Sequence, residues 1–485
     1  MTQPNIKKNF AYTTAFQILS LITPFVTAPY VSRVLGPEGT GIYSFTSANV
    51  AYFTMFAALG TVSYGAHTIA RQRDDREAYS KSFWEIELLT IATSLICLLA
   101  WFGFILITND SNRVYYLILT MSILGTMFDI TWFFKGLEMF KVTVLRSAVF
   151  KLLGVAAIFL FVKASTDVAA YVAIMSASTM LSMLSLWMAL PKLLAPVDWH
   201  ALNLRPHLRE TLVFFVPTIA SSIYLVLDRT LLGIITGNNA ENGYYQQAEK
   251  IIGMGKAVVY TSINSVLTTR ISYLFSQKKL DEIRRRIGDS MNYILTMGCG
   301  CTFGIMGIAK RFVPVFFGDG YEPVITLLYI FAPILVVIGV SNCLGTQYFT
   351  PAGRKKDSNV YLLVGAGVNL CLNLILIPRF ASFGAAAASL AAETVITILY
   401  IRNSPEYLTF GQLGRIAWKK LLSGLVMLAA VVALGQLPIG AIPCLVVQVG
   451  SGVAVYGAML LLLRDEWVLK MAGRVLSRVL RRKKG

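Results

Sequence analysis

Charged residues are scarce in this chain. Asp, Glu, Lys and Arg together make up 14% of 485 residues, 56% of the residues are hydrophobic, and mean hydropathy is +0.64. That leaves too little polar surface to coat a soluble globule of this length. A GxxxxGK[ST] phosphate loop is also missing. Gly253-Met254-Gly255-Lys256 resembles its end, but it lies inside an apolar run and is followed by Ala257, so no nucleotide-hydrolysing motor is encoded. The six cysteines, Cys97, Cys299, Cys301, Cys343, Cys371 and Cys444, all fall in apolar runs. Cys299 and Cys301 project about 200° apart on a helix, and all six read as small apolar fillers. The first apolar run follows Lys7 and Lys8 but is too long for a signal-peptide core and has no small-residue cleavage site, so it reads as an uncleaved first span.

What the chain has instead is about fourteen apolar stretches, each near the roughly 20 residues needed to cross a bilayer. They run over 10–31, 41–65, 83–107, 114–134, 143–163, 168–190 and 211–236, then 244–275, 290–309, 323–347, 358–378, 384–402, 415–436 and 442–464. The expected fold is an all-α membrane protein. An even number of spans puts both termini on one side. About three quarters of the 43 basic residues fall in loops on that side, against Arg33, Arg113, Lys163, Lys310, Arg311 and Arg379 on the other. The termini are therefore expected in the cytoplasm. The net charge of +18 is mostly this topology, spread over eight loops, so nucleic acid is not an expected partner. The Arg481-Arg482-Lys483-Lys484 tail suits anionic lipid headgroups.

An internal repeat organises the spans. Ser32-Arg33-Val34-Leu35-Gly36 precedes Gly41-Ile42-Tyr43, and Asp228-Arg229-Thr230-Leu231-Leu232-Gly233 precedes Gly243-Tyr244-Tyr245. With one small gap these align two six-helix bundles, and because six is even the copies are parallel. The expected division is 1–200 and 201–410 for the two bundles, 411–464 for two added C-terminal helices, and 465–485 for a basic tail. Parallel halves around a central cavity are a transporter architecture, with substrate held at the repeat interface.

The strings YVSRVLGPEGTGIYSF (30–45), LDRTLLG (227–233) and GYYQQAEKI (243–251) resemble the Wzx-type oligosaccharide flippases of the multidrug/oligosaccharidyl-lipid/polysaccharide superfamily. The fourteen-span count, the six-six-two layout and the basic loop RQRDDRE (71–77) agree with that resemblance. It implies translocation of an undecaprenyl-diphosphate-linked oligosaccharide from the inner to the outer face of a bacterial cytoplasmic membrane, with membrane lipids, a polysaccharide polymerase and chain-length machinery as partners. It implies no catalysis and no cofactor beyond a coupling Na+ or H+.

Charges inside membrane spans cost several kcal/mol unless they face a polar cavity, which makes each a candidate site residue. In the eighth span Glu249, Lys256 and Arg270 are spaced by multiples of seven and share a face with only about 20° drift per heptad. They can line a water-filled lumen whose cations bind a diphosphate. The alternative is that Glu249 and Arg270 snorkel at the two interfaces, leaving Lys256 deep. Arg33 and Arg229 match between the halves and either receive the diphosphate as a symmetric outer pair or snorkel. Arg146 and Lys151 in the fifth span add positive charge where an inward-open cavity would load. Lipid II flippases, which are similar, use arginines near the first, second and eighth helices. Here Arg33 and Arg270 match in placement, but the second span offers only His67 and Arg71 at its end.

A second set is Asp228, Asn369, Asn373, Ser389, Glu393 and Thr394, at coinciding depths in the seventh, eleventh and twelfth spans. Carboxylate, amide and hydroxyl oxygens suit a small hard cation, and a buried Glu393 could instead carry a proton. The set resembles the sodium site of lipid II flippases, with Asn373 where those carry Asp. Helix-to-helix hydrogen bonding is the other reading of the asparagines. Asp129, Trp132 and Lys135 read as interface anchors. Pro24, Pro29 and Pro217 mark bends. Two rival functions remain. A cation-coupled multidrug antiporter of the same superfamily would have twelve helices and an acidic pocket. A membrane polymerase would need a sizeable external loop, whereas the longest here, about 310–322, is short.

Overall fold

Within lipid every backbone N–H and C=O has to be satisfied inside its own segment, and only helices and closed barrels do that. The computed structural model describes residues 6–108 and 111–473, less the side chains of 6–11, 216–225, 262, 265, 266 and 269, and no strand occurs among the described residues. Asp110 and the Arg481–Lys484 tail lie outside the described residues, and so does the Pro217 side chain. Ten stretches are long and apolar enough to cross a membrane among those searched. The chain is thus an all-helical, multi-pass membrane protein.

The helices are α1 (Ile6–Ala58), α2 (Thr61–Gln72), α3 (Arg76–Thr108), α4 (Arg113–Met127), α5 (Thr131–Gly136), α6 (Phe140–Phe161), α7 (Val168–Trp187) and α8 (Leu204–Thr236). They continue as α9 (Asn239–Lys256), α10 (Ser262–Ser276), α11 (Leu280–Phe317), α12 (Pro323–Phe331), α13 (Ile334–Leu344), α14 (Lys355–Arg402), α15 (Phe410–Leu434) and α16 (Ala441–Leu462). π-helical turns at Ala257–Thr261 and Gly345–Phe349 join α9 to α10 and extend α13.

Two expected pairs of spans are each one helical element broken at a single residue. In α1 the break is Gly36, at φ 68° and ψ −179°, a conformation glycine adopts without a Cβ penalty. Pro37 follows, with its φ already set for the first turn of a new helix. In α14 the break is Ala381, at φ 46° and ψ −127°, three residues after Pro378. Hydrogen bonding between Asn369 and Ser389 across that break shows that the chain doubles back there. Local caps set several other ends. Asp75 Oδ1 accepts from Glu77 N and Ala78 N at the start of α3, and Thr409 with Gln412 forms a capping box on α15.

Packing divides the chain into two compact units, Met1–Gln246 and Gln247–Gly485. Helix α8 packs on α1, α2 and α3, so residues 204–236 group with the first unit by contact even though the repeat assigns them to the second copy. One core of the first unit gathers Trp101, Tyr116, Leu35 and Val31 near the Gly36 break, where Trp101 stacks on Phe104 at 5.4 Å and Tyr116 meets it edge-on at 5.5 Å. A second core gathers Tyr79, Phe83, Trp132 and Phe133 near α2. The fully buried Trp132 stacks on Phe83 and closes over Gly65, so it is a core residue and not the interface anchor its position suggested; only Lys135 of that trio is exposed. In the second unit α11 packs on α13, α15 and α16. Ile107, Leu99 and Leu462 stand 75% or more exposed, as lipid-facing side chains do.

Candidate functional site

The repeated glycine motifs meet in space. A Cβ on Gly41 would fall on the carbonyl oxygen of Asn239, and a Cβ on Gly243 would fall on that of Pro37. The same sequence spacing separates Gly41 from Gly243 and Pro37 from Asn239, so the contact is reciprocal and locally two-fold. Backbones this close need residues without side chains, as in small-residue helix crossings in membranes. Gly233 packs likewise beneath the Phe45 ring. Beside it the Tyr245 hydroxyl donates to Asp228 Oδ2. Asn242, with its amide turned to satisfy both neighbours, donates to the Arg229 carbonyl at 2.9 Å and accepts from Gly233 N at 3.1 Å.

The two arginines of the repeat are not equivalent. Arg33 is exposed, whereas Arg229 is half-buried, with Tyr43 and Tyr52 of α1 within its electrostatic reach. Arg146 and Lys151 both lie on α6 and are half-buried. Lys151 donates from Nζ to Ser20 Oγ at 2.9 Å and sits 5.5 Å from the centre of the Phe16 ring. That lysine therefore ties α6 to the first half of α1.

In the second unit the eighth span departs from one regular helix. Glu249 and Lys256 are both half-buried on α9 and keep the heptad relation. The π-helical turn at Ala257–Thr261 then inserts the equivalent of one residue, worth about 100° of rotation. Arg270 is carried off the shared face. It is exposed and stacks over Tyr273 at 5.4 Å. The three-charge stripe is thus reduced to Glu249 and Lys256.

The α14 residues do come together. Asn369 and Asn373 have no exposed surface; Asn373 Nδ2 donates to Asn369 Oδ1 at 3.1 Å, and Asn369 Nδ2 donates to Ser389 Oγ at 3.4 Å. Glu393 is buried one turn beyond Ser389, close enough to act electrostatically on Tyr260 and Tyr400. Thr394 instead donates to the Leu390 carbonyl of its own helix at 2.8 Å. Asp228 belongs to the other unit. Among the described residues no group of three or more His, Cys, Asp or Glu is placed to hold a metal.

A family model described as "Polysaccharide biosynthesis protein" matches residues 6–275, more than half of the chain. The chain belongs to that family. A second model, "Lipid II flippase MurJ", matches residues 204–441. The "Putative O-antigen transporter" of Escherichia coli (strain K12) is 25% identical over 414 residues, covering 82% of this chain and 97% of that protein. Among solved structures, "Lipid II flippase MurJ, inward closed conformation" matches with a TM-score of 0.69 at 15% identity, covering 91% of this chain and 99% of that one. An inward-facing multidrug resistance MATE family transporter of the MOP superfamily matches with a TM-score of 0.56 at 14% identity, covering 84% and 94%. These structural likenesses establish a MurJ/MATE-like fold.

This member of the polysaccharide biosynthesis family also carries polar networks that the sequence pattern did not reveal. His207 bridges Glu85 and Tyr64, with Nε2 2.8 Å from Glu85 Oε2 and Nδ1 2.7 Å from the Tyr64 hydroxyl. Asn203 N donates to the other Glu85 oxygen at 2.8 Å, so α8 is tied to α2 and α3. Lys420 lies on α15. It is 1% exposed and pairs with Asp465 at 2.8 Å, with Asn292 Oδ1 at 3.2 Å. Asn264 joins Asn342 and Gln347, at 2.5 and 2.7 Å, beside the two π-helical turns. Buried amides inside apolar runs were the available signal for this last network.

Proposed function

We propose that this protein translocates an undecaprenyl-diphosphate-linked oligosaccharide from the cytoplasmic to the outer face of a bacterial cytoplasmic membrane, making and breaking no covalent bond. The family match over residues 6–275 carries this reading, and the MurJ-like fold supports it. On this reading the breaks at Gly36 and Ala381 each separate two crossings, α8 and the α9–α10 segment supply two more, and the total is fourteen. Both termini lie in the cytoplasm, following the excess of basic residues in the loops on that side. Half-buried Lys151, Arg229 and Lys256 offer cations to the diphosphate, and alternating access moves it between faces. The Gly41–Gly243 contact then lies at the outer end.

The α14 oxygens are assigned a coupling cation, Na+ or H+, whose occupancy favours one facing state. A polysaccharide polymerase and its chain-length machinery would receive the product. Removing the protein from its host tests the assignment. Lipid-linked oligosaccharide should accumulate on the cytoplasmic leaflet, whereas normal surface polysaccharide with no such accumulation contradicts it.

A further inference from the structure

Glu87 lies on α3, inside the membrane span, with no exposed surface, and neither carboxyl oxygen has a hydrogen-bond partner. A carboxylate charge held this way is costly by several kcal/mol, and an orphaned buried group in a native fold calls for a physical role. One turn earlier on the same face, Phe83 stacks on Trp132 at 5.5 Å, and Trp132 Nε1 is itself buried without an acceptor. Three residues before Trp132 is Asp129, whose charge acts on Glu87. Of the other elements packed on α3, the 40–58 stretch of α1 brings no charge, α2 brings Tyr64, His67 and Arg71, α4 brings Arg113 at its far end, and the first part of α8 brings Arg205, His207, Arg209 and Glu210. His207 is engaged with Glu85.

Asp129 also opens onto a cavity of about 300 Å³ between α1, α4 and α7, where Ser47, Ser122, Thr126, Ser176 and Thr179 add hydroxyls to a wall otherwise formed mainly by apolar side chains such as Leu119 and Met175. The hydroxyls of Ser47, Thr126 and Thr179 donate to carbonyls of their own helices at 3.0–3.1 Å. They therefore turn acceptor lone pairs toward the cavity, which suits water and its protonated forms. Asp129 Oδ1 accepts from Thr131 N at 2.9 Å, leaving its second oxygen for that water.

We propose that Glu87 and Asp129 form a proton-binding pair, with Asp129 at the cavity and Glu87 buried behind it, that loads and releases one proton per transport cycle. In the step, the O–H bond of the Glu87 acid breaks and the proton forms an O–H bond with a cavity water or the Asp129 carboxylate, leaving Glu87 ionised; no electron moves. The assignment rests on the transport reading above. It lies in the first unit, separate from the α14 residues.

The test is pH-difference infrared spectroscopy on the purified full-length protein in lipid nanodiscs, without substrate, so that it reads proton binding whether or not the transported species is correctly named. A carboxylic-acid C=O band should be lost as pH rises, be absent in the isosteric Glu87→Gln and shift in Asp129→Asn. Ser122→Leu, which fills the cavity, should slow deuterium exchange of that band. In vesicles Glu87→Gln should lose acceleration by a pH gradient while still equilibrating substrate. A band identical in wild type and Glu87→Gln overturns the proposal. A Glu87 band indifferent to pH also overturns it, leaving Glu87 a permanently neutral packing group. Loss of the band on adding Na+ at fixed pH, with no response to pH, overturns it in favour of a cation site. If transport fails in every variant and in wild type while the band still titrates, the proton site stands and the transport reading falls.

Discussion

Gly41 and Gly243 hold each other's chains apart by nothing but hydrogen. A methyl group on Gly41 would sit 1.7 Å from the Asn239 carbonyl oxygen, and one on Gly243 would sit 2.1 Å from that of Pro37. Neither backbone can yield without moving a helix end, because Gly36 and Gly237 fix the adjoining turns at positive φ.

Gly41→Ala and Gly243→Ala should each lower the unfolding midpoint of the detergent-solubilised protein, by the equivalent of about 1–3 kcal/mol expected of overpacking. Because both act on one contact, the double variant should cost less than the sum of the two. Additive, near-zero effects would show that the helices separate freely here.

The same pair shows what could be read from sequence. The glycine-aromatic strings identify both the repeat and the place where a helix must break, since only glycine takes the Gly36 conformation without strain. That the two copies would touch could not be read, because contact between elements depends on packing. Spacing misled in the eighth span, where a seven-residue pattern presumes an unbroken α-helix and one π-helical turn displaces Arg270. The Lys420–Asp465 pair was hidden for another reason, since a lysine at the end of an apolar run looks the same whether it meets headgroups or a buried acid.

Lys420→Met leaves Asp465 buried without its counter-ion and should destabilise the protein by about 3–5 kcal/mol, while Lys420→Met combined with Asp465→Leu should recover most of the loss. Chemical denaturation followed by tryptophan fluorescence reads both. Equal stability of the single and double variants would mean that the pair is solvated.

Topology is open to chemical labelling. A cysteine at Asn238, exposed beside the packed Asn239, should react with an impermeant maleimide added outside cells, and one at exposed Lys355 should react only after permeabilisation. The opposite pattern reverses the assigned orientation.

If the α14 oxygens hold sodium, added Na+ should raise the thermal midpoint of the wild type more than that of Asn373→Ala, and Glu393→Gln should leave the sodium effect in place while altering pH dependence. Equal shifts in all three proteins would return these residues to helix packing.

The most direct test of the central claim is translocation in proteoliposomes. Purified protein is reconstituted with a fluorescent undecaprenyl-diphosphate-linked oligosaccharide, and its appearance on the opposite leaflet is followed by protection from a membrane-impermeant quencher. The wild type should move the labelled lipid at least tenfold faster than protein-free vesicles. Lys256→Ala should fall close to the protein-free rate while folding and inserting normally, and Lys256→Arg should recover part of the activity. A wild-type rate equal to that of empty vesicles, or full activity in Lys256→Ala, would contradict a flippase that grips the diphosphate with its half-buried cations.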